Sequence, residues 1–111
     1  MSMSVFAKNL LSTVKQTLRE TSIDFDAEIE SYIDGCAINL QTAGILPSFF
    51  ADTLTASTVD PQILQAVRLY CLANYGLYNT DAERYERSYH SLKALLCTNR
   101  RYTQEAKNGV Q

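Results

Sequence analysis

The side chains best suited to catalysis or metal binding are few in this chain and lie far apart in the sequence. They are the three cysteines, Cys36, Cys71 and Cys97, and the single histidine, His90. A structural zinc site needs about four nitrogen or sulfur ligands, often in closely spaced pairs, and this chain has no such pairs. Each cysteine falls in an apolar helical stretch, where a reduced thiol acts as a small buried hydrophobe. The sequence therefore predicts no catalytic residue, no metal site and no cofactor.

Carboxylates are the densest group of reactive side chains. Residues 20–34 contain six acids and no lysine or arginine: Glu20, Asp24, Asp26, Glu28, Glu30 and Asp34. Their spacing does not fit a calcium loop, which needs ligands at positions 1, 3, 5 and 12 around a central glycine. From the residues alone, these acids are interpreted as a solvated helix start that complements the positive end of the helix.

The charge balance argues against a general affinity for nucleic acids. The formal net charge is −2 and the isoelectric point is about 5.3, whereas nucleic-acid binders usually carry a basic excess. The two helices around Gly76 could be mistaken for a helix-turn-helix, but acids offset Arg84 and Arg87 where a recognition helix would be basic. Neither an apolar run of 18 residues nor a leader pattern at 1–4 is present, so we expect no membrane contact.

Hydrophobic periodicity predicts four main helices. Their expected bounds are near residues 4–19, 26–43, 61–75 and 81–97. With 111 residues, of which 46 % are apolar, the chain is expected to form one domain with one modest core. The predicted fold class is all-α: a small bundle of four main helices with a long loop between helices two and three and an extended C-terminal tail.

Local signals mark where these helices begin and end. Gly44 is expected to adopt a left-handed conformation after the second helix, so that Ile45 folds back onto its last turn. Asp60 and Pro61 suit the N-cap and the first position of the third helix. The segment 80–83, Thr-Asp-Ala-Glu, fits a capping box for the fourth helix. Gly35, inside the second helix, is expected to mark a close contact between helices.

The predicted core draws on all four helices. We expect eight residues to be largely buried: Leu10, Val14, Ile33, Leu40, Val67, Tyr70, Tyr89 and Leu92. The third helix is apolar on nearly every side, which is typical of a helix packed on two sides. In so small a chain, self-association is one way to cover the second side.

The long loop, Leu46 to Val59, contains aromatic and aliphatic residues that a free linker would lack. Phe49, Phe50 and Leu54 are the residues concerned. A loop of this length in a compact domain usually has a function. We expect it to lie against its own domain or against a neighbouring subunit, with these three side chains as a candidate subunit interface.

The C-terminal segment differs in charge from the rest of the chain. Of 10 basic and 12 acidic side chains, three basic and one acidic lie in residues 98–111, so this segment carries +2 and residues 1–97 carry −4. Its only large apolar residues are Tyr102 and Val110, too few to fold it alone. We therefore divide the chain into a helical domain, 1–97, and a flexible tail, 98–111, whose removal should leave the fold intact. The tail is inert, or it docks on an acidic partner through Arg100, Arg101, Tyr102 and Lys107.

The stretch from Asp60 to Leu96, DPQILQAVRLYCLANYGLYNTDAERYERSYHSLKALL, resembles a known family. An Asp-Pro pair, an apolar helix, an aromatic-glycine-aromatic turn, Asp-Ala-Glu-Arg-Tyr and Ser-Tyr-x-x-Leu follow one another. This order is similar to that of the head–tail connector, or adaptor, proteins of long-tailed phages, some of which are labelled DNA-packaging proteins. The order of elements in the first half is also similar, so the resemblance covers roughly residues 5–97. Cys71 and Cys97 are not part of the pattern.

The resemblance implies a mechanical role and no active site. Such proteins form a ring of about twelve copies below the portal, extend the DNA channel and provide the platform for the next tail-side completion protein. It also implies that the C-terminal segment reaches toward the portal protein and that DNA passes without sequence-specific binding. Under this resemblance a second interpretation of the acids opens: five of them face the channel and let DNA slide, since an acidic wall does not hold phosphates. These are Asp24, Asp26, Glu28, Glu30 and Asp34. The expected location is the head–tail junction of the virion, after assembly in the cytoplasm of the bacterial host. The alternative function is a small helical interaction or regulatory module, and a helix-turn-helix DNA binder ranks below it.

Overall fold

The computed structural model describes residues 4–76 and 79–104. Within these residues it contains helices and no strand, which confirms an all-α bundle with four main helices. The helices are α1 (Val5–Leu18), α2 (Asp26–Thr42), α3 (Pro61–Asn74), α4 (Ala82–Cys97) and a short α5 (Arg100–Thr103). Two 3-10 turns, Ile23–Phe25 and Pro47–Phe50, lie before and after α2. Each main helix begins and ends within one residue of its predicted bounds.

Successive main helices run antiparallel, with α3 in the centre of the bundle. It contacts α1, α2 and α4, which bury one side of it within the domain, whereas Leu69 and Leu72 stay half-buried. The start of α2 meets the end of α3, where the rings of Phe25 and Tyr75 pack edge to face at 6.1 Å. The start of α3 meets α5, where Tyr102 contacts Asp60. The molecule thus has two ends that are separated by the length of α3.

Two of the predicted boundary signals are confirmed, and the third, the capping box of α4, is wrong. Gly44 has a φ of 114°, and the N–H of the buried Ile45 donates to the carbonyl of Leu40 at 3.0 Å. Asp60 caps α3 as expected. The capping box of α4 does not form, because the N-cap is Asp81 and its side chain makes no cap hydrogen bond. Asn79 accepts from the N–H of Asp81 at 3.1 Å instead.

The core agrees with the prediction except at its rim. Six of the eight predicted residues are buried, while Tyr70 and Leu92 are half-buried. The ring of Tyr70 packs on Tyr89 at 5.2 Å and lines an open groove beside α4, so it is not fully buried. A Cβ on Gly35 would lie 3.1 Å from the hydroxyl oxygen of Tyr70. Gly35 therefore marks a close approach of α2 and α3, as the sequence suggested.

The long loop lies against α1 of its own domain. Phe50 is buried and packs edge to face on Phe6 at 5.5 Å. The side-chain amide of Asn9 donates to the carbonyls of Asp52 and Leu54, at 2.9 and 3.0 Å. Of the two positions expected for this loop, contact with its own domain is therefore the one observed.

The first part of the C-terminal segment is folded against the domain rather than extended. Asn99 caps α5, and Tyr102 in this helix is 1 % exposed. The hydroxyl of Tyr102 donates to Asp60 at 3.0 Å, and its carbonyl accepts from the N–H of Leu46 at 2.8 Å. The expectation of a flexible tail is wrong for 98–104, because the aromatic ring of Tyr102 is buried against the domain. Residues 105–111, which include Lys107, lie outside the described residues.

Val67→Asp tests the position of α3 in the core. Val67 has no exposed surface, so the variant buries an unpaired carboxylate. We expect a loss of about 3–5 kcal/mol in the free energy of unfolding, measured by urea denaturation. Gln65→Asp, at an exposed position of the same helix, is the matched control. A loss below about 1 kcal/mol for the Val67 variant would show that α3 is not central.

Truncation after Cys97 tests the contribution of α5. It removes the buried ring of Tyr102. We expect the free energy of unfolding to fall by about 3–5 kcal/mol, as when other buried aromatic side chains are truncated. Tyr102→Ala should reproduce most of this loss in the full chain. Arg100→Ala, an exposed position of the same helix, should not. A truncated chain as stable as the full one would show that the C-terminal segment contributes nothing to the fold.

Candidate functional site

Three of the five acids predicted to face a channel contact α1 instead. They recur every fourth residue on α2 and therefore lie on one helix face. The contacts are Asp26 to the Lys15 ammonium at 2.7 Å, Glu30 to the Lys8 ammonium at 3.2 Å, and Asp34 to the N–H of Ser4 at 3.0 Å. The hydroxyl of Ser4 also donates to Asp34. These acids hold two antiparallel helices together and do not form a free acidic surface.

The other two acids, Asp24 and Glu28, are exposed at the end of the bundle where α2 begins. Neither makes an ion pair within the part of the chain that the structure describes. Glu28 accepts a hydrogen bond from the hydroxyl of Tyr32 at 3.1 Å. Nearby, Ile23 is 78 % exposed and Phe25 is 42 % exposed. This end of the bundle thus presents carboxylates together with exposed apolar side chains.

A groove of about 570 Å³ opens between the start of α2 and the end of α3. Its walls carry three aromatic side chains and one carboxylate: Phe25, Tyr32, Tyr75 and Glu28. Asn74 and Gly76 complete the lining. We call this groove the aromatic cleft. Sequence analysis missed it because the residues come from segments about 45 positions apart that only the fold brings together.

Glu20 and Tyr75 form a hydrogen bond that joins the end of α1 to the end of α3. The donated hydroxyl of Tyr75, followed by the N–H of Ser22, lowers the pKa of Glu20 from its usual value. Burial, followed by the bond to Glu20, raises the pKa of Tyr75 to about 12. Glu20 therefore stays ionised and Tyr75 stays neutral near neutral pH, so a second carboxylate lies behind the aromatic cleft.

The three side chains of the long loop that were predicted to form a subunit interface pack against the core of their own domain. Phe50 is buried, whereas Phe49 and Leu54 are half-buried and pack against the same core. The ring centroid of Phe49 lies 5.0 Å from that of Tyr102. These contacts leave the exposed edges of Phe49 and Leu54 as the part of this site that a neighbouring subunit can reach.

The predicted docking residues of the C-terminal segment separate into two groups. Tyr102 is buried, and Arg101 pairs with Asp60 at 2.7 Å while its guanidinium lies 5.2 Å from the ring centroid of Tyr102. Arg100 is exposed and makes no ion pair among the described residues. Arg100 is thus the described member of this set that remains available to a partner.

The groups with catalytic potential are not arranged as a reactive site. Cys36 and Cys71 are buried, and burial raises the pKa of the Cys36 thiol to about 12 and that of Cys71 further. His90 is exposed on α4, 3.9 Å from Glu86. Across 4–76 and 79–104, no group of three or more His, Cys, Asp or Glu side chains is arranged to hold a metal ion. None of the described helices has the length and apolarity needed to cross a membrane.

Comparison with protein families identifies one relationship. The family model described as phage connector protein matches residues 10–103, which include all five helices apart from the first residues of α1. The resemblance noted in the sequence is therefore confirmed. Comparison with curated proteins and with solved structures gives no match.

Glu20→Gln tests the bond between α1 and α3 through its pH dependence. Because the folded chain lowers the pKa of Glu20, the ionised carboxylate stabilises the fold above the pKa of the unfolded chain. This contribution is lost as the pH falls through the folded-state value. We expect the variant to unfold at a lower temperature than the wild type at pH 7, with the difference shrinking toward pH 3. Glu86→Gln is the control, and parallel pH profiles for wild type and Glu20→Gln would contradict this assignment.

Proposed function

Because the chain belongs to the phage connector protein family, we propose that it is a head–tail connector subunit of a long-tailed phage or prophage. About twelve copies form a ring under the portal, extend the DNA channel and join head to tail. The observation that carries this proposal is the family match over residues 10–103. The subunit is assembled in the cytoplasm of the bacterial host and resides at the head–tail junction of the virion.

The surface of the subunit supports a role in binding other proteins. Five large apolar side chains on the described part of the chain are well exposed: Val5, Ile23, Phe25, Ile38 and Leu95. Single exposed apolar residues are common, but here Ile23 and Phe25 adjoin the aromatic cleft. Much of the apolar surface of α3 is buried in its own domain and does not need self-association to be covered. Support for contacts between copies comes instead from these exposed side chains.

The proposed partners are further copies of the chain, the portal protein and the next tail-side completion protein. DNA passes through the ring without sequence-specific contacts. Asp24 and Glu28 are the described members of the acidic group that remain available, either to the channel or to a neighbouring subunit. The positive C-terminal segment docks on an acidic surface of the portal or of a neighbouring copy, with Arg100 as its exposed contact.

Co-purification with the portal protein of the same genome, followed by light scattering across a concentration series, tests this function. We expect a portal complex, and a ring at high concentration. Val67→Asp, which disrupts the fold, is the negative control for binding. A regulatory module would instead elute as a monomer or dimer and leave the portal unbound, and that result would overturn the proposal.

A further inference from the structure

We propose that the aromatic cleft of one copy receives Arg100 of a second copy. This inference rests on the proposed ring and names one contact between its neighbouring subunits. It assigns Glu28 to a subunit interface rather than to the DNA channel. The occupant is a guanidinium group presented by α5, at the opposite end of the neighbouring molecule.

The cleft has the chemistry of a guanidinium site. Its three aromatic rings offer faces on which a planar cation stacks, and Glu28 offers a carboxylate that accepts paired hydrogen bonds. The ionised Glu20, bonded to Tyr75, adds negative charge behind the rings. Among the described residues, neither a lysine nor an arginine lines the cleft. A neutral apolar ligand would cover the carboxylate of Glu28, which has the hydroxyl of Tyr32 as a hydrogen-bond partner, without supplying an opposite charge.

Arg100 is the cation that matches this site. Other basic side chains, including Lys8, Lys15, Arg84 and Arg101, already pair with acids of the same molecule. Arg19 and Arg87 are also exposed, but Arg19 lies beside Glu20 at the same end of the molecule as the cleft, and acidic residues flank Arg87 on α4. Residues 98–104 contain no acid and Arg101 pairs with Asp60, so Arg100 carries the positive charge of this segment that no described acid offsets. The neighbouring Tyr102 is buried and fixes α5, so Arg100 is presented from an ordered helix.

The contact must be between molecules because the two groups lie at opposite ends of α3. The cleft adjoins the end of α3, whereas α5 contacts Asp60 at its start. With 14 residues, α3 separates them by about 21 Å, which is beyond the reach of an arginine side chain. Each copy therefore offers one cleft and one arginine. Such head-to-tail contacts propagate from copy to copy and generate a ring when the rotation closes.

Charge reversal with complementation tests this contact. Glu28→Arg gives a copy with a basic residue in the cleft and a basic residue at position 100. Arg100→Glu gives a copy with an acidic residue in the cleft and an acidic residue at position 100. Each variant alone should raise the apparent dissociation constant for self-association about tenfold or more. The equimolar mixture should restore assembly, because each cleft then meets an α5 of opposite charge. Sedimentation velocity and native mass spectrometry, at low and high salt, provide the readout.

Two matched controls separate this contact from a general charge effect. Glu86→Arg and Arg87→Glu reverse charges on the exposed face of α4 and should leave assembly unchanged, alone or mixed. Thermal unfolding establishes that all four variants are folded. If the wild type forms rings and the cleft variants do so equally well, the cleft contact is wrong and the connector function stands. If the wild type stays monomeric at millimolar concentration and does not bind the portal, both proposals fail.

Discussion

The fold depends on the hydrogen bonds and the ion pair of the Asp60 carboxylate, which join the start of α3 to α5. The Asp60 side chain is only 4 % exposed and accepts from the N–H groups of Gln62 and Ile63, the guanidinium of Arg101 and the hydroxyl of Tyr102. A buried carboxylate without such partners would be strongly unfavourable. The same group therefore starts the central helix and fixes the C-terminal one. Together with the burial of the Tyr102 ring, this carboxylate fixes the position of Arg100 relative to α3.

The contact between α1 and α2 shows how acidic residues can serve the fold rather than a ligand. A run of acids with no basic residue is read naturally as a surface of uniform charge, yet Asp26 and Glu30 are neutralised by lysines of the preceding helix. Within residues 20–34, this neutralisation leaves Asp24 and Glu28 as the exposed acids without an ion pair among the described residues. Glu28 lines the aromatic cleft, where one carboxylate favours a single cation over an extended basic partner.

The features predicted correctly from sequence are those that local chemistry determines. The four main helices, the left-handed Gly44 and the N-cap at Asp60 all follow from residues within one or two helical turns. The features that were missed depend on long-range contacts. The hydroxyl of Tyr102 bonds to a residue 42 positions away, and that of Tyr75 to one 55 positions away. Neither α5 nor the cleft has a local pattern that would reveal such a partner.

The central position of α3 has a consequence for assembly. Its two ends are both fixed, by the cap at Asp60 and by the bond from Tyr75 to Glu20, and it packs against α1, α2 and α4. A helix held in this way acts as a rigid spacer, because its length cannot change without breaking the core. The distance between the cleft and Arg100 is therefore set by the fold. In a ring built from this contact, the spacing of the subunits depends on the length of α3, the 14-residue helix at the centre of each subunit.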